Sequence, residues 1–224
     1  MSSKNLKNQN NKKTKSPLKF LYNKEILYLI IIGTVGLVIR LYYFPFNIPI
    51  IDDGIDYFSY AVVSSQQGQL PVNWGLSNNG WPVFLSYFFS IFNSQNFLEF
   101  TYLQRSLTII ISVLTIIPVY FLCKRFVNKK IAIISTTLFV FEPRIIINSL
   151  IGITEPAYIL LGTISLFLFL SKRFSIILIS FFTLALCSII RYEGFLLFIP
   201  FVIIFFIRFR KDKITDSDKV KAYA

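Results

Sequence analysis

Six apolar stretches separated by short polar breaks constrain this chain more than any other feature. Residues 26–44 form the first, nineteen positions interrupted only by Gly33, Thr34, Gly36 and Arg40. At about 1.5 Å per residue a helix of that length crosses a hydrocarbon core of about 30 Å. Further apolar runs cover residues 98–123, 131–149, 156–171, 174–190 and 195–209. The last is short for a span. With 54% hydrophobic residues and 25 Phe among 224 positions, the composition is that of a membrane protein and not of a water-soluble domain. The expected fold is therefore all-α, a polytopic membrane helix bundle of six transmembrane helices.

The charges give this bundle a direction. Residues 1–24 carry seven lysines and no acid, hold too few apolar groups to fold alone, and read as a disordered cytoplasmic tail. No small-residue cleavage site follows, so the first run reads as an uncleaved anchor. Lys124, Arg125, Lys129 and Lys130 close the second run, Lys172 and Arg173 the fourth, and Arg208, Arg210, Lys211 and Lys213 the sixth. Threading six spans puts all of these on one side, together with both termini, as the positive-inside rule requires. Residues 210–224 read as a second polar tail, leaving 25–209 as the transmembrane domain. The net charge of +12 is thus a topology signal, and its scatter in short clusters argues against nucleic acid as a partner.

Residues 45–97 contain neither Lys nor Arg and read as an outer loop. Within it, Ile55, Phe58 and Val62 at i, i+3 and i+7 predict a helix along the membrane surface over 54–67. Residues 81–92 are apolar but too short to span, and predict a second interfacial helix. Trp74 and Trp81 suit the membrane–water interface better than a sugar-stacking role. The two cysteines, Cys123 and Cys187, fall on opposite sides and cannot pair. Histidine is absent, which removes the commonest general base and disfavours zinc.

Every lysine lies on the cytoplasmic side of this topology, while the outer half carries Arg40, Arg105, Arg144 and Arg191. Seven acids share that outer layer: Asp52, Asp53, Asp56, Glu99, Glu142, Glu155 and Glu193. Ionisable groups at such depth mark a functional cavity by default, and arginine's fork suits phosphate. Plainer roles compete at each position. Asp53 and Asp56 fit the N-cap and N3 positions of the surface helix. Glu155-Pro156 fits a helix start, Glu142 and Arg144 a pair at a proline kink, and Arg40 and Arg105 snorkelling to headgroups. The tyrosines, Tyr57 and Tyr60 among them, are more often interfacial anchors than catalytic groups.

Several short motifs appear in a fixed order: Arg40, Asp52-Asp53, Asp53-x-x-x-Tyr57, Gly80-Trp81-Pro82, Arg105, Glu155-Pro156 and Arg191-Tyr192-Glu193-Gly194. Over residues 25–209 this order resembles the GT-C membrane glycosyltransferases. It is most similar to the protein O-mannosyltransferase and aminoarabinose transferase group with its archaeal relatives, and it matches their N-terminal half only. The resemblance implies inverting transfer of a sugar from a polyprenyl- or dolichyl-phosphate donor to an acceptor at the extracytoplasmic face of the cell membrane. It implies Asp53 as general base with Asp52 as its rival, and Arg40, Tyr57, Arg105, Glu155, Arg191 and Glu193 as substrate-binding residues. Relatives often have Asp-Glu at the doublet. Aminoarabinose-type relatives have lysine where Trp81 stands, so that phosphate contact does not carry over.

The chemistry fits the residue types independently. Displacing phosphate from an anomeric carbon needs one base on the acceptor and positive charge on the leaving group. Asp52 and Asp53 also offer the hard oxygen donors that Mg²⁺ or Mn²⁺ take. Two other readings compete: a non-catalytic scaffold or partner subunit completing a split enzyme, and a transporter subunit. A transporter would spread its charges across the membrane midplane; here they crowd the outer layer.

Overall fold

The computed structural model describes residues 24–76, 78–92, 94 and 96–211, with side chains through residue 208. The two tails expected over 1–24 and 210–224 lie almost wholly outside the described residues. Among the described residues the chain is helical throughout, without a strand. In chain order, the helices are α1 (Lys24–Tyr42), α2 (Asp53–Gln67), α3 (Gly80–Ile91), α4 (Phe97–Leu114), α5 (Ile116–Cys123) and α6 (Lys129–Val140). They continue with α7 (Pro143–Ile151), α8 (Glu155–Phe169), α9 (Phe174–Ile190) and α10 (Gly194–Lys211).

Two units are long and apolar enough to cross a membrane: α1, and the nearly continuous α4–α5 over 27 residues. The small break between α4 and α5 lies before Pro118, whose ring removes a donor and crowds the carbonyl one turn back. A third unit is α6 with α7, bent by 48°. Glu142-Pro143 causes the bend. Pro143 opens α7, and the Glu142 carboxylate caps it by accepting from the Ile145 N–H at 2.8 Å. Glu142 therefore serves as a cap, and among the described ion pairs it has none with Arg144. The remaining apolar helices fall short of the spans expected for them. α8 and α9 have 15 and 17 residues, about 22–26 Å of helix against a core of about 30 Å.

The bundle is apolar outside, and its interior mixes apolar side chains such as Leu85 and Leu184 with many polar ones. α1 buries only Gly36 and Arg40, while Leu27, Ile30, Ile31, Val38 and Leu41 stand about half exposed or more. The interior instead collects Arg40, Gln104, Arg105, Thr108, Thr136 and Ser149, each at most 2% exposed. Lipid tails solvate such an exterior, and polar groups then hold the helices together. α8 lies along α9, α2 along α3, and α4 contacts both α7 and α8. Ser165 donates to the Ser180 carbonyl at 2.9 Å across the α8–α9 contact. On the basic side, Glu25 accepts from Tyr120 Oη and Lys124 Nζ at 2.5 and 2.6 Å and also pairs with Lys129, tying the ends of α1, α5 and α6. The cysteines are free.

Helices form over both of the stretches expected to be helical at 54–67 and 81–92. The buried face of α2 is Gly54, Phe58, Tyr60, Ala61 and Ser64, so the stripe is rotated away from Ile55, which is 36% exposed. Trp81 differs from its expected interfacial place. It is 1% exposed and donates from Nε1 to the Gly152 carbonyl at 3.3 Å. Its indole is large enough to fill the wedge between α3 and the α7–α8 turn, and its one donor is satisfied there.

Candidate functional site

The acidic stretch is delivered by a tight turn. Asp52 occupies the N-cap position of α2 with φ 52° and ψ −143°, and its side chain makes no capping bond. Its carbonyl instead accepts from the Ile55 N–H at 3.0 Å. This corrects the capping arrangement expected from the sequence: Asp53 is the first helical residue, and neither Asp53 nor Asp56 is a cap. Asp53, Asp56 and Tyr57 stand at i, i+3 and i+4, one face of the helix. Gly54 fixes where that face points. A Cβ there would meet Ile50 Cγ2 at 2.5 Å and the Ile151 carbonyl oxygen at 3.0 Å, so only glycine lets α2 start so close to the α7–α8 turn.

That turn brings a second wall, which backs the cleft through Arg191 without lining it. Gly152, at φ 79°, closes α7, and Thr154 and Glu155 follow at the start of α8 with Pro156 behind them. The third wall is the link between α9 and α10, where Arg191 ends one helix and Gly194 begins the next. Arg191 binds both carboxylates around it. Nη1 donates to Glu155 Oε1 at 2.5 Å and to Thr154 Oγ1 at 3.3 Å; Nε donates to Glu193 Oε2 at 3.2 Å and Nη2 to Glu193 Oε1 at 2.7 Å. The guanidinium also lies 6.0 Å from the centre of the Tyr158 ring. These contacts push the Arg191 pKa up, the Glu193 carboxylate contributing most, and Arg191 holds Glu193 below its ordinary value.

Between these walls lies a polar cleft of about 290 Å³, lined by Asp53, Asp56, Tyr57, Asn78, Arg191 and Glu193, among others. Burial pushes the Tyr57 phenol above its usual value, against the pull of its hydrogen bond with Thr154; the charges of Asp53, Arg191 and Glu155 all reach it. Tyr57 is therefore a protonated donor at neutral pH. The cleft adjoins an apolar groove of about 440 Å³ walled by Trp81, Phe84, Ile111, Leu161 and Ile190. Ile190 and Gly80 line the groove, while their near neighbours Arg191 and Asn78 line the cleft.

The structure brings together Asp53, Tyr57, Glu155, Arg191 and Glu193, and adds Asp56, Asn78 and Thr154. Asp56 had the signal of sharing a helix face with Asp53; Asn78 and Thr154 had none, since each is near the site only through the fold. Asp52 is exposed beside the cleft without lining it. Arg40 and Arg105 go elsewhere. Arg40 is wholly buried and donates to Ser149 Oγ, Gly36 O, Ser112 Oγ and Val140 O. Arg105 donates to the carbonyls of Pro45, Ile48 and Pro49, with Nε buried and unpartnered. Both hold the frame of the site, α1 and the 45–49 segment, and neither snorkels. Among the described residues no three His, Cys, Asp or Glu side chains converge as metal ligands.

The fold and site define a class: an all-helical chain with helices able to cross a membrane and a carboxylate-rich cleft around one arginine. Compared with known families, curated proteins and solved structures, the chain gives no match.

Proposed function

We propose that the chain is a membrane glycosyltransferase, or the N-terminal half of one. In this reading it transfers a sugar with inversion from a polyprenyl- or dolichyl-phosphate donor to an acceptor at the extracytoplasmic face, across six membrane crossings with both termini cytoplasmic. One observation carries the reading: the cleft holding Asp53 and Arg191 adjoins an apolar groove. A polyprenyl-phosphate sugar has the same division, a hydrocarbon chain joined through phosphate to a polar ring.

Asp53 takes the proton of the acceptor hydroxyl. The acceptor oxygen then bonds to the anomeric carbon from the face opposite the phosphate, and the bond from that carbon to the phosphate oxygen breaks. The electron pair leaves with the phosphate, stabilised by Arg191 and by a hydrogen bond from Tyr57. One displacement inverts the centre, so no second carboxylate nucleophile is needed. Glu155 orients the guanidinium through its 2.5 Å contact.

The test is transfer of label from a polyprenyl-phosphate sugar in membranes carrying the chain. Asp53→Asn should reduce transfer by about two orders of magnitude, the usual worth of a general base, and Asp52→Asn by no more than about threefold. Unchanged transfer in Asp53→Asn would refute the base assignment.

A second reading, a non-catalytic subunit that completes a partner's bundle, is favoured by one feature. All the nitrogens of Arg191 already bind protein acceptors, as in a purely structural ion-pair network. Absence of transfer by the native chain alone, restored by a partner subunit and insensitive to Asp53→Asn, would select it.

A further inference from the structure

Arg191 has three nitrogens, and the protein uses them unequally. Glu193 takes Nε and Nη2 together, one oxygen to each. This two-point contact is the geometry in which a guanidinium also grips phosphate. Glu155 and Thr154 share the remaining Nη1. Four of the five N–H groups are engaged and only one, on Nη2, is left, so a phosphate that grips two donors must displace one side or the other.

The two carboxylates are not equally free to yield. Glu155 opens α8 beside Pro156 and next to Thr154, which is 1% exposed. Glu193 lies in the short link between α9 and α10 and lines the cleft, whereas Glu155 does not; the two side chains are similarly exposed, 33% and 29%, so it is their place in the fold that separates them. Swinging Glu193 away moves one side chain into open cleft; swinging Glu155 away breaks a contact between two helices.

We infer that Glu193 is a place-holding anion that occupies the phosphate-binding edge of Arg191 in the empty site and is displaced by the donor's phosphate. This deepens the proposed donor site and rests on that reading. The exchange makes the cleft selective. A free phosphate ion gains little, because it replaces one anion by another in a cleft that already holds Asp53 and Asp56. A phosphate on a hydrocarbon chain adds burial of that chain in the adjoining groove, which drives the exchange. The partly buried guanidinium, meanwhile, is never left without a counterion, which would be costly.

The test is equilibrium binding of farnesyl phosphate to the purified full-length chain in lipid nanodiscs, read by calorimetry, with farnesol as the uncharged control. Glu193→Gln should bind farnesyl phosphate about tenfold more tightly than the native chain, the worth of one charge-assisted contact no longer given up. Asp56→Asn removes a cleft charge that does not touch Arg191 and measures the general electrostatic gain, expected at about threefold or less. Arg191→Gln should bind farnesyl phosphate no better than farnesol. Glu193→Ala, with the same expected tightening, covers the case in which the glutamine refills the fork. Tightening in neither Glu193 variant beyond that of Asp56→Asn overturns the place-holder; if Arg191→Gln still abolishes the preference for phosphate, the donor-site reading survives it. A native chain that does not distinguish farnesyl phosphate from farnesol, with Glu193→Gln equally indifferent, overturns both.

Discussion

Asp52 has an unfavourable backbone, a non-glycine residue at φ 52° and ψ −143°. That region is nearly reserved for glycine and costs of order 1–3 kcal/mol. Asp52→Gly is therefore expected to raise stability by about 1 kcal/mol or more in a denaturant or thermal titration in detergent, while leaving Asp53 where it is. Its neighbour in the cleft gives a pH signature. Glu193 is held below its ordinary value of 4.5 by Arg191, so its pairing adds stability that is present above pH 4.5 and lost as the pH falls through the lowered value. Melting temperatures of the native chain and Glu193→Gln should thus differ at neutral pH and converge on acidification; a constant gap would show that the pair does not carry the difference. At this scale the sequence was informative about residue type and poor about role. Arg40, Arg105 and Arg191 look alike in the outer layer, yet one binds two carboxylates and two bind mostly carbonyls and hydroxyls. Little local separates them, because three of the four acceptors of Arg40 lie 72 to 109 positions away.

At the level of elements, the starts of α2 and α8 are joined by one side chain. Gln104, fully buried on α4, donates from Nε2 to the carbonyls of Gly54 at 3.2 Å and Gly152 at 2.7 Å. It thereby sets the distance between Asp53 on one wall and Thr154 and Glu155 on the other. Gln104→Leu leaves the Gly54 carbonyl without this donor, and Gly152 with Trp81 alone. The expected loss is about 1–3 kcal/mol, measured by thermal unfolding, with a larger drop in farnesyl phosphate affinity than Arg40→Lys produces at equal stability. Sequence periodicity had located both α2 and α3, because an amphipathic stripe and polar boundaries are local signals. It misjudged the rotation of α2 by about one position, since the stripe that packs is chosen by Phe89 and Phe97, against which Phe58 lies at 5.5 and 4.8 Å.

For the whole molecule, the proposed sidedness can be checked directly. In a chain with Cys123 and Cys187 replaced, single cysteines at Ser65 and Ser171 should react with an impermeant thiol reagent from outside and from inside, respectively; the reverse would put the cleft on the wrong side for a lipid-linked donor. The short helices α8 and α9 are the sensitive part of that topology, because 15 and 17 residues cross only with a thinned bilayer or with polar ends reaching the interface. By itself the sequence determined that the chain is helical and that its helices carry apolar surfaces, since composition and run length act locally. It also put Asp53, Asp56 and Tyr57 on one helical face. Only the tertiary structure decided which arginine shares a cleft with them, that Arg40 and Arg105 are spent on the frame, and that a polar cleft adjoins an apolar groove. Those outcomes depend on contacts between helices far apart in the chain, where close approach at Gly54 and the bonds of Gln104 select one arrangement among many that the same apolar runs would permit.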